Sequence, residues 1–104
     1  MTYELAFTAL ADPTRRAIVE ALRDTPLPVG RLARTLPVSR PAVSQHLKIL
    51  SDAGLAVAEP KGAARIYALA PEGWAAMRDY LDTMWDDALS AYAHAAETLS
   101  KGET

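Results

Sequence analysis

Apolar positions recur at helical spacing in five stretches of the chain and alternate at strand spacing in one. Leu5, Ala6, Ala9 and Leu10 predict a short first helix that ends near Ala11, because Asp12 precedes a proline and is biased out of the helical region. Asp12 then reads as an N-cap with Pro13 in the first turn, and Ala17, Ile18, Ala21 and Leu22 form the inner face of a helix of about a dozen residues. Pro26 and Pro28 interrupt the chain before Val29, Leu32, Ala33 and Leu36 mark a two-turn helix closed by Pro37. Ser39 is suited to cap the next helix, over 39–53, with Ala42, Val43, His46, Leu47 and Leu50 on one face and Gly54 as its stop. Segments 55–59 and 66–69 alternate moderately around Pro60-Lys61-Gly62-Ala63-Ala64, the pattern of a two-stranded hairpin with a flexible tip. From Pro71 a long helix carries Trp74, Met77, Leu81, Met84, Trp85, Ala88, Leu89, Tyr92, Ala96 and Leu99 in one broad stripe, and the tail from Lys101 to Thr104 is expected to fray.

Together these elements predict a mainly α-helical protein with a small β-hairpin: a single winged helix-turn-helix domain over 1–104. Its parts are a helix-turn-helix at 29–53, a wing at 55–69 and a C-terminal dimerisation helix at 71–99. The last stripe runs about 28 residues and roughly 40 Å, more than a domain of about 100 residues covers by itself, so part of it should meet another chain.

Composition narrows the function classes. The absence of cysteine excludes disulfides, thiolate metal sites and sulfur nucleophiles. The longest apolar run, Ile66 to Ala70, is five residues, far short of the roughly 18 that span a membrane. No basic stretch followed by an apolar block occurs near Met1-Thr2-Tyr3-Glu4, so no secretory signal and a cytoplasmic location are expected. Two distant histidines, no Gly-rich phosphate loop and carboxylates gathered on one helix offer no nucleophile, base and orienter; neither catalysis nor a cofactor is expected. The net charge of −2 hides an asymmetry: residues 1–70 carry +3 and residues 71–104 carry −5. Segment 25–65 holds six bases against Asp52 and Glu59, a local +4 that suits phosphate.

The outward face of the helix at 39–53 has the chemistry of a major-groove reader. Ser44 donates or accepts, Gln45 can bond adenine through two contacts, Arg40 can reach guanine or phosphate, and Lys48 can pair with phosphate. Ser39, Pro41 and His46 complete the candidate set on this helix, although the helical phase of His46 favours packing or internal hydrogen bonding over base reading. Lys61 and Arg65 on the wing would reach the DNA backbone or minor groove. Arg15 and Arg16 could touch phosphate, but Arg16 and Glu20 are spaced as an i, i+4 pair, which favours a structural role. Leu5, Leu10, Trp74, Met77, Leu81, Met84, Trp85, Leu89 and Tyr92 are candidate dimer contacts, and Trp74, Tyr80, Trp85 and Tyr92 read as dimer core rather than a ligand cage.

Several runs carry a family resemblance: Leu10-Ala11-Asp12-Pro13-Thr14-Arg15-Arg16-Ala17-Ile18-Val19, the stretch from Ser39 to Leu50, Ala53-Gly54-Leu55, and Arg65-Ile66-Tyr67. In these the chain resembles the ArsR-type winged-helix transcriptional repressors. The resemblance implies a homodimer paired through its first and last helices, bound to double-stranded DNA at an inverted repeat. The metalloid-sensing pattern of that family needs cysteines on the first helix of the helix-turn-helix, where this chain has Val29-Gly30-Arg31-Leu32-Ala33. A second family site lies on the last helix; His94-Ala95-Ala96-Glu97 keeps one half of it, whereas Asp82 is followed by Thr83 and Met84 with no histidine. Asp82, His94 and Glu97 are thus a thin metal set, and no metal is expected. A protein-interaction module on the same fold and a metal-responsive repressor using the last helix stand as alternatives. The residues leave open whether a small-molecule or protein effector acts.

Overall fold

The computed structural model describes residues 3–102; Met1, Thr2, Glu103 and Thr104, and the expectations that fall on them, lie outside the described residues. The elements in chain order are α1 (Tyr3–Leu10), α2 (Pro13–Asp24), β1 (Leu27–Pro28), α3 (Val29–Thr35), α4 (Arg40–Asp52), β2 (Ala56–Lys61), β3 (Ala64–Leu69) and α5 (Pro71–Gly102). Asp12 caps α2 by accepting from the backbone N–H of Thr14 at 2.8 Å and of Arg15 at 3.1 Å, with Pro13 in the first turn where its missing donor costs nothing. Ile18, Leu32, Val43, Leu47, Leu50 and Leu55 are fully buried, so α2, α3 and α4 meet around one core.

The end of α4 is closed by backbone geometry. Gly54 takes φ 74°, its N–H bonds the Ser51 carbonyl at 3.0 Å, and the Leu55 N–H reaches back to the Leu50 carbonyl at 2.9 Å, the paired bonds of a Schellman stop. The start of α5 docks on this stop through Gly73, whose N–H donates to the Gly54 carbonyl at 2.8 Å. A Cβ at Gly73 would lie 2.5 Å from the Ala53 carbonyl oxygen, so only glycine allows the approach.

Three expectations are corrected. The sheet has three strands, in the order β1-β3-β2: Leu27 and Pro28 pair with Tyr67 and Ile66, a two-residue strand too short to show alternation. The hairpin has no long flexible tip; β2 and β3 stay paired to Lys61 and Ala64 around a Gly62-Ala63 turn, and Pro60 is accommodated because β2 is an edge strand. Helix α5 continues through Lys101 and Gly102 rather than fraying. Met77, a candidate dimer contact, is 6% exposed in the single chain and packs in its core while lining the groove between α1 and α5. Trp74 is likewise tied inward, half-buried, with its indole N–H on the Leu55 carbonyl at 3.1 Å. Tyr80 joins an aromatic cluster that pins α5 to α1, stacking on Tyr3 at 4.1 Å between ring centroids with Phe7 edge-on to both.

Beyond this cluster every residue of α5 from Leu81 to Gly102 is exposed. The radius of gyration, 19.6 Å against about 13 Å for a compact chain of this size, reflects that projecting helix.

Candidate nucleic-acid interface

Helix α4 is built so that one face is held and the other is free. The Ser39 hydroxyl accepts from the Ala42 N–H at 3.3 Å and starts the helix with Pro41 in its first turn, so Ser39 sets the position of the face before it could touch a ligand. Val43, Leu47 and Leu50 anchor the inner side, while Arg40, Ser44, Gln45, Lys48 and Ile49 are exposed. Lys48 pairs with Asp52 one turn on, Nζ to Oδ2 at 3.0 Å, and both ends are open to water, where such a pair contributes little and can yield to a phosphate.

The wing lies beside this face. A groove of about 690 Å³ runs between them, with Ser44, Lys48 and Ser51 on the α4 side and Arg65, Tyr67 and Val57 on the wing side. An adjoining cleft of about 280 Å³ brings Arg40 and Arg65 together over Pro28 and Val29. Four of the residues singled out in the sequence, Arg40, Ser44, Lys48 and Arg65, therefore converge on the helix–wing junction, whereas Gln45 and Lys61 are exposed but line neither recess. Ser51 and Tyr67 line the groove without having been singled out for it; only their register against the wing brings them there.

Arg15 is the residue that sequence reasoning undervalued. Its side chain is 14% exposed and ties the α1 end, the α2 cap and α4 together, through the Ala9 and Thr8 carbonyls, Asp12 and His46. The available signal was its place three residues after the Asp12 cap. Arg16 does not pair with Glu20 and instead donates to the Leu10 carbonyl at 2.8 Å. The Asp12 carboxyl is held below its usual range, foremost by the Arg15 backbone N–H, then by the Thr14 N–H and the charges of Arg15 and His46, against some desolvation.

A model of a helix-turn-helix domain matches residues 10–58. The HTH-type transcriptional regulator Rv2034 of Mycobacterium tuberculosis is 60% identical over 88 residues, covering 85% of this chain and 82% of that protein. Among solved structures, an ArsR-like transcriptional regulator from Rhodococcus sp. RHA1 superposes with a TM-score of 0.76 at 30% identity, over 90% of this chain and 92% of that one. The chain belongs to the ArsR-type winged helix-turn-helix transcriptional regulators. Another relative, the transcriptional repressor SmtB of Mycobacterium tuberculosis, is 42% identical over 86% of this ArsR-type chain and 58% of its own length.

The candidate metal residues on α5 do not gather into one set among the described residues of a single copy. Asp82 and His94 are twelve residues apart on α5, about 18 Å along the axis, and Asp82 faces Arg78 at 3.9 Å. Only His94 and Glu97 fall one turn apart, and among the described residues no three His, Cys, Asp or Glu side chains converge. Among the described residues no helix is long and apolar enough to cross a membrane.

Proposed function

We propose that this chain is a DNA-binding transcriptional repressor that acts in the cytoplasm as a homodimer on an inverted-repeat operator, without metal sensing. The observation that carries the reading is the exposed face of α4, where Ser44 and Lys48 share a groove with the wing's Arg65 and Gln45 stands free beside them. Serine and glutamine on a helix presented at major-groove scale supply base-edge hydrogen bonds, while Arg40, Lys48, Lys61 and Arg65 supply phosphate contacts. The likeness to a transcriptional regulator and a transcriptional repressor of Mycobacterium tuberculosis supports the same reading.

The homodimer is supported by the unpartnered stripe of α5. Leu81 is 53%, Trp85 64% and Tyr92 77% exposed, and Leu5 on α1 is 53% exposed. Water-exposed apolar surface of this extent marks an interaction face, and Leu10, Met84 and Leu89 extend it. Phe7 and Leu10 of α1 with Leu81 of α5 border an apolar groove of about 390 Å³ that a second copy would fill. Two recognition helices related by a two-fold axis require half-sites about 34 Å apart, or a multiple of that.

Selection of bound sequences from a random DNA pool at moderate salt, with zinc and a chelator in parallel, tests the proposal. An inverted repeat recovered equally in both is the expected result. Release by zinc would establish a metal-responsive repressor using Asp82, His94 and Glu97 across the dimer, and recovery of no preferred sequence would make the fold a protein-interaction module.

A further inference from the structure

Arg15 imposes a chemical state on the recognition helix. Its Nε donates to the Ala9 carbonyl at 2.6 Å, Nη2 to the Thr8 carbonyl at 3.5 Å, and Nη1 faces Nδ1 of His46 at 3.4 Å. Asp12 Oδ2, 3.9 Å from Nη1, balances the guanidinium charge. A guanidinium has only donors and does not deprotonate, so the ring nitrogen that faces it must offer a lone pair. The proton of the neutral imidazole then sits on Nε2. That nitrogen has no partner within the described residues, and none of their buried side-chain nitrogens or oxygens lacks a hydrogen bond, so Nε2 reaches solvent.

His46 stands at the border between the buried face of α4 and the exposed Ser44 and Gln45. Base edges are met by the groove-facing side of a recognition helix, chiefly by its N-terminal residues, and side chains flanking that side reach the sugar–phosphate strand. We propose that Arg15 is a positioning residue that locks His46 as the Nε2–H tautomer, so that α4 presents one fixed donor to a backbone phosphate of the DNA. The proposal rests on the DNA-binding reading above and adds a residue outside the groove to it. Arg15 itself is too enclosed to be the phosphate contact, and its hydrogen bonds to the end of α1 hold its guanidinium in place against His46.

Ring-nitrogen NMR of the full chain, at a pH of about 8 where histidine is ordinarily neutral, reads the tautomer directly. The expected result is Nε2–H for His46 and a shift of that nitrogen when the selected operator is added. Arg15→Met should mix the tautomers and weaken operator binding about ten-fold, the scale of one charge-assisted hydrogen bond. His46→Gln, whose amide can accept from Arg15 and donate outward, should stay within about three-fold, while His46→Leu should lose about ten-fold. The double variant Arg15→Met with His46→Leu should lose no more than either single change. An Nδ1–H ring, an Nε2 signal indifferent to operator, or additive losses would overturn the proposal. Should Arg15→Met fail to fold, the wild-type tautomer and its response to DNA still decide. An Nε2–H ring in a protein for which selection recovers no operator would instead count against the DNA-binding reading, and with it the phosphate contact.

Discussion

The cap at Asp12 and the proposed DNA contacts of Gln45 and Arg65 can each be separated by substitution. The Asp12 carboxylate accepts the first backbone donors of α2, and its proton affinity is lowered by them. A carboxyl with a depressed folded value stabilises the fold fully above its unfolded value near 3.8, and that contribution disappears as pH falls through the folded value. Asp12→Asn, which keeps a capping oxygen but does not titrate, should therefore be less stable than wild type above pH 3.8 and converge with it in stronger acid. Thermal melts across that range check this, and parallel curves would remove the charge of Asp12 from the account. At the proposed DNA face the expected contrast is between reading and holding. Gln45→Ala should cost about 1–3 kcal/mol at the preferred operator and relax one base position. Arg65→Ala should weaken all sequences alike and lower the salt slope by about one phosphate. Binding titrations on the operator and on random DNA at several salt concentrations separate the two; equal weakening by Gln45→Ala everywhere, or an unchanged slope for Arg65→Ala, would reverse those assignments.

Among the elements, the joint between α4 and α5 is closely packed backbone to backbone. The Gly54 stop ends the recognition helix and Gly73 lets the long helix begin against it, so the direction of α5 is set by the end of α4. Gly73→Ala places a methyl 2.5 Å from one backbone oxygen and 2.8 Å from another, and neither is the end of a movable side chain. The expected loss is about 1–3 kcal/mol, the usual range for forcing extra volume into a packed site. Denaturant unfolding followed by circular dichroism measures it, and an unchanged midpoint would mean that the two helices part without penalty.

For the molecule as a whole, the exposed length of α5 is the dominant feature. A helix whose residues from Leu81 to Gly102 are all open to water, with tryptophan, leucine and tyrosine among them, has its stability tied to what covers that stripe. Trp85→Glu should put an unpaired charge in the dimer contact and lower the mass in solution toward the 11.2 kDa of one chain, with operator binding lost in proportion. Light scattering beside circular dichroism makes the check, since a monomer that keeps its helix content separates lost association from lost folding. A dimer of unchanged mass would move the interface away from Trp85.

Local chemistry was readable from the chain alone. The Asp12-Pro13 and Ser39 caps, the inner faces of α2, α3 and α4, the Gly54 stop and the polar face of α4 all depend on residues within about a turn of one another, and helical periodicity expresses them directly. Contacts between distant segments were decided by the tertiary structure. Strand β1 exists only because Leu27 and Pro28 lie against β3, and the paired tip of the wing only because β2 is an edge that tolerates Pro60. One apolar stripe on α5 looked uniform in sequence, yet packing against α1 and the α4 stop takes Trp74, Met77 and Tyr80 inward and leaves the residues from Leu81 onward outside. Arg15 shows the same limit at one side chain: a helix N-terminal arginine has an ordinary local pattern, and its reach to His46 across 31 positions of sequence is made by the crossing of α2 and α4.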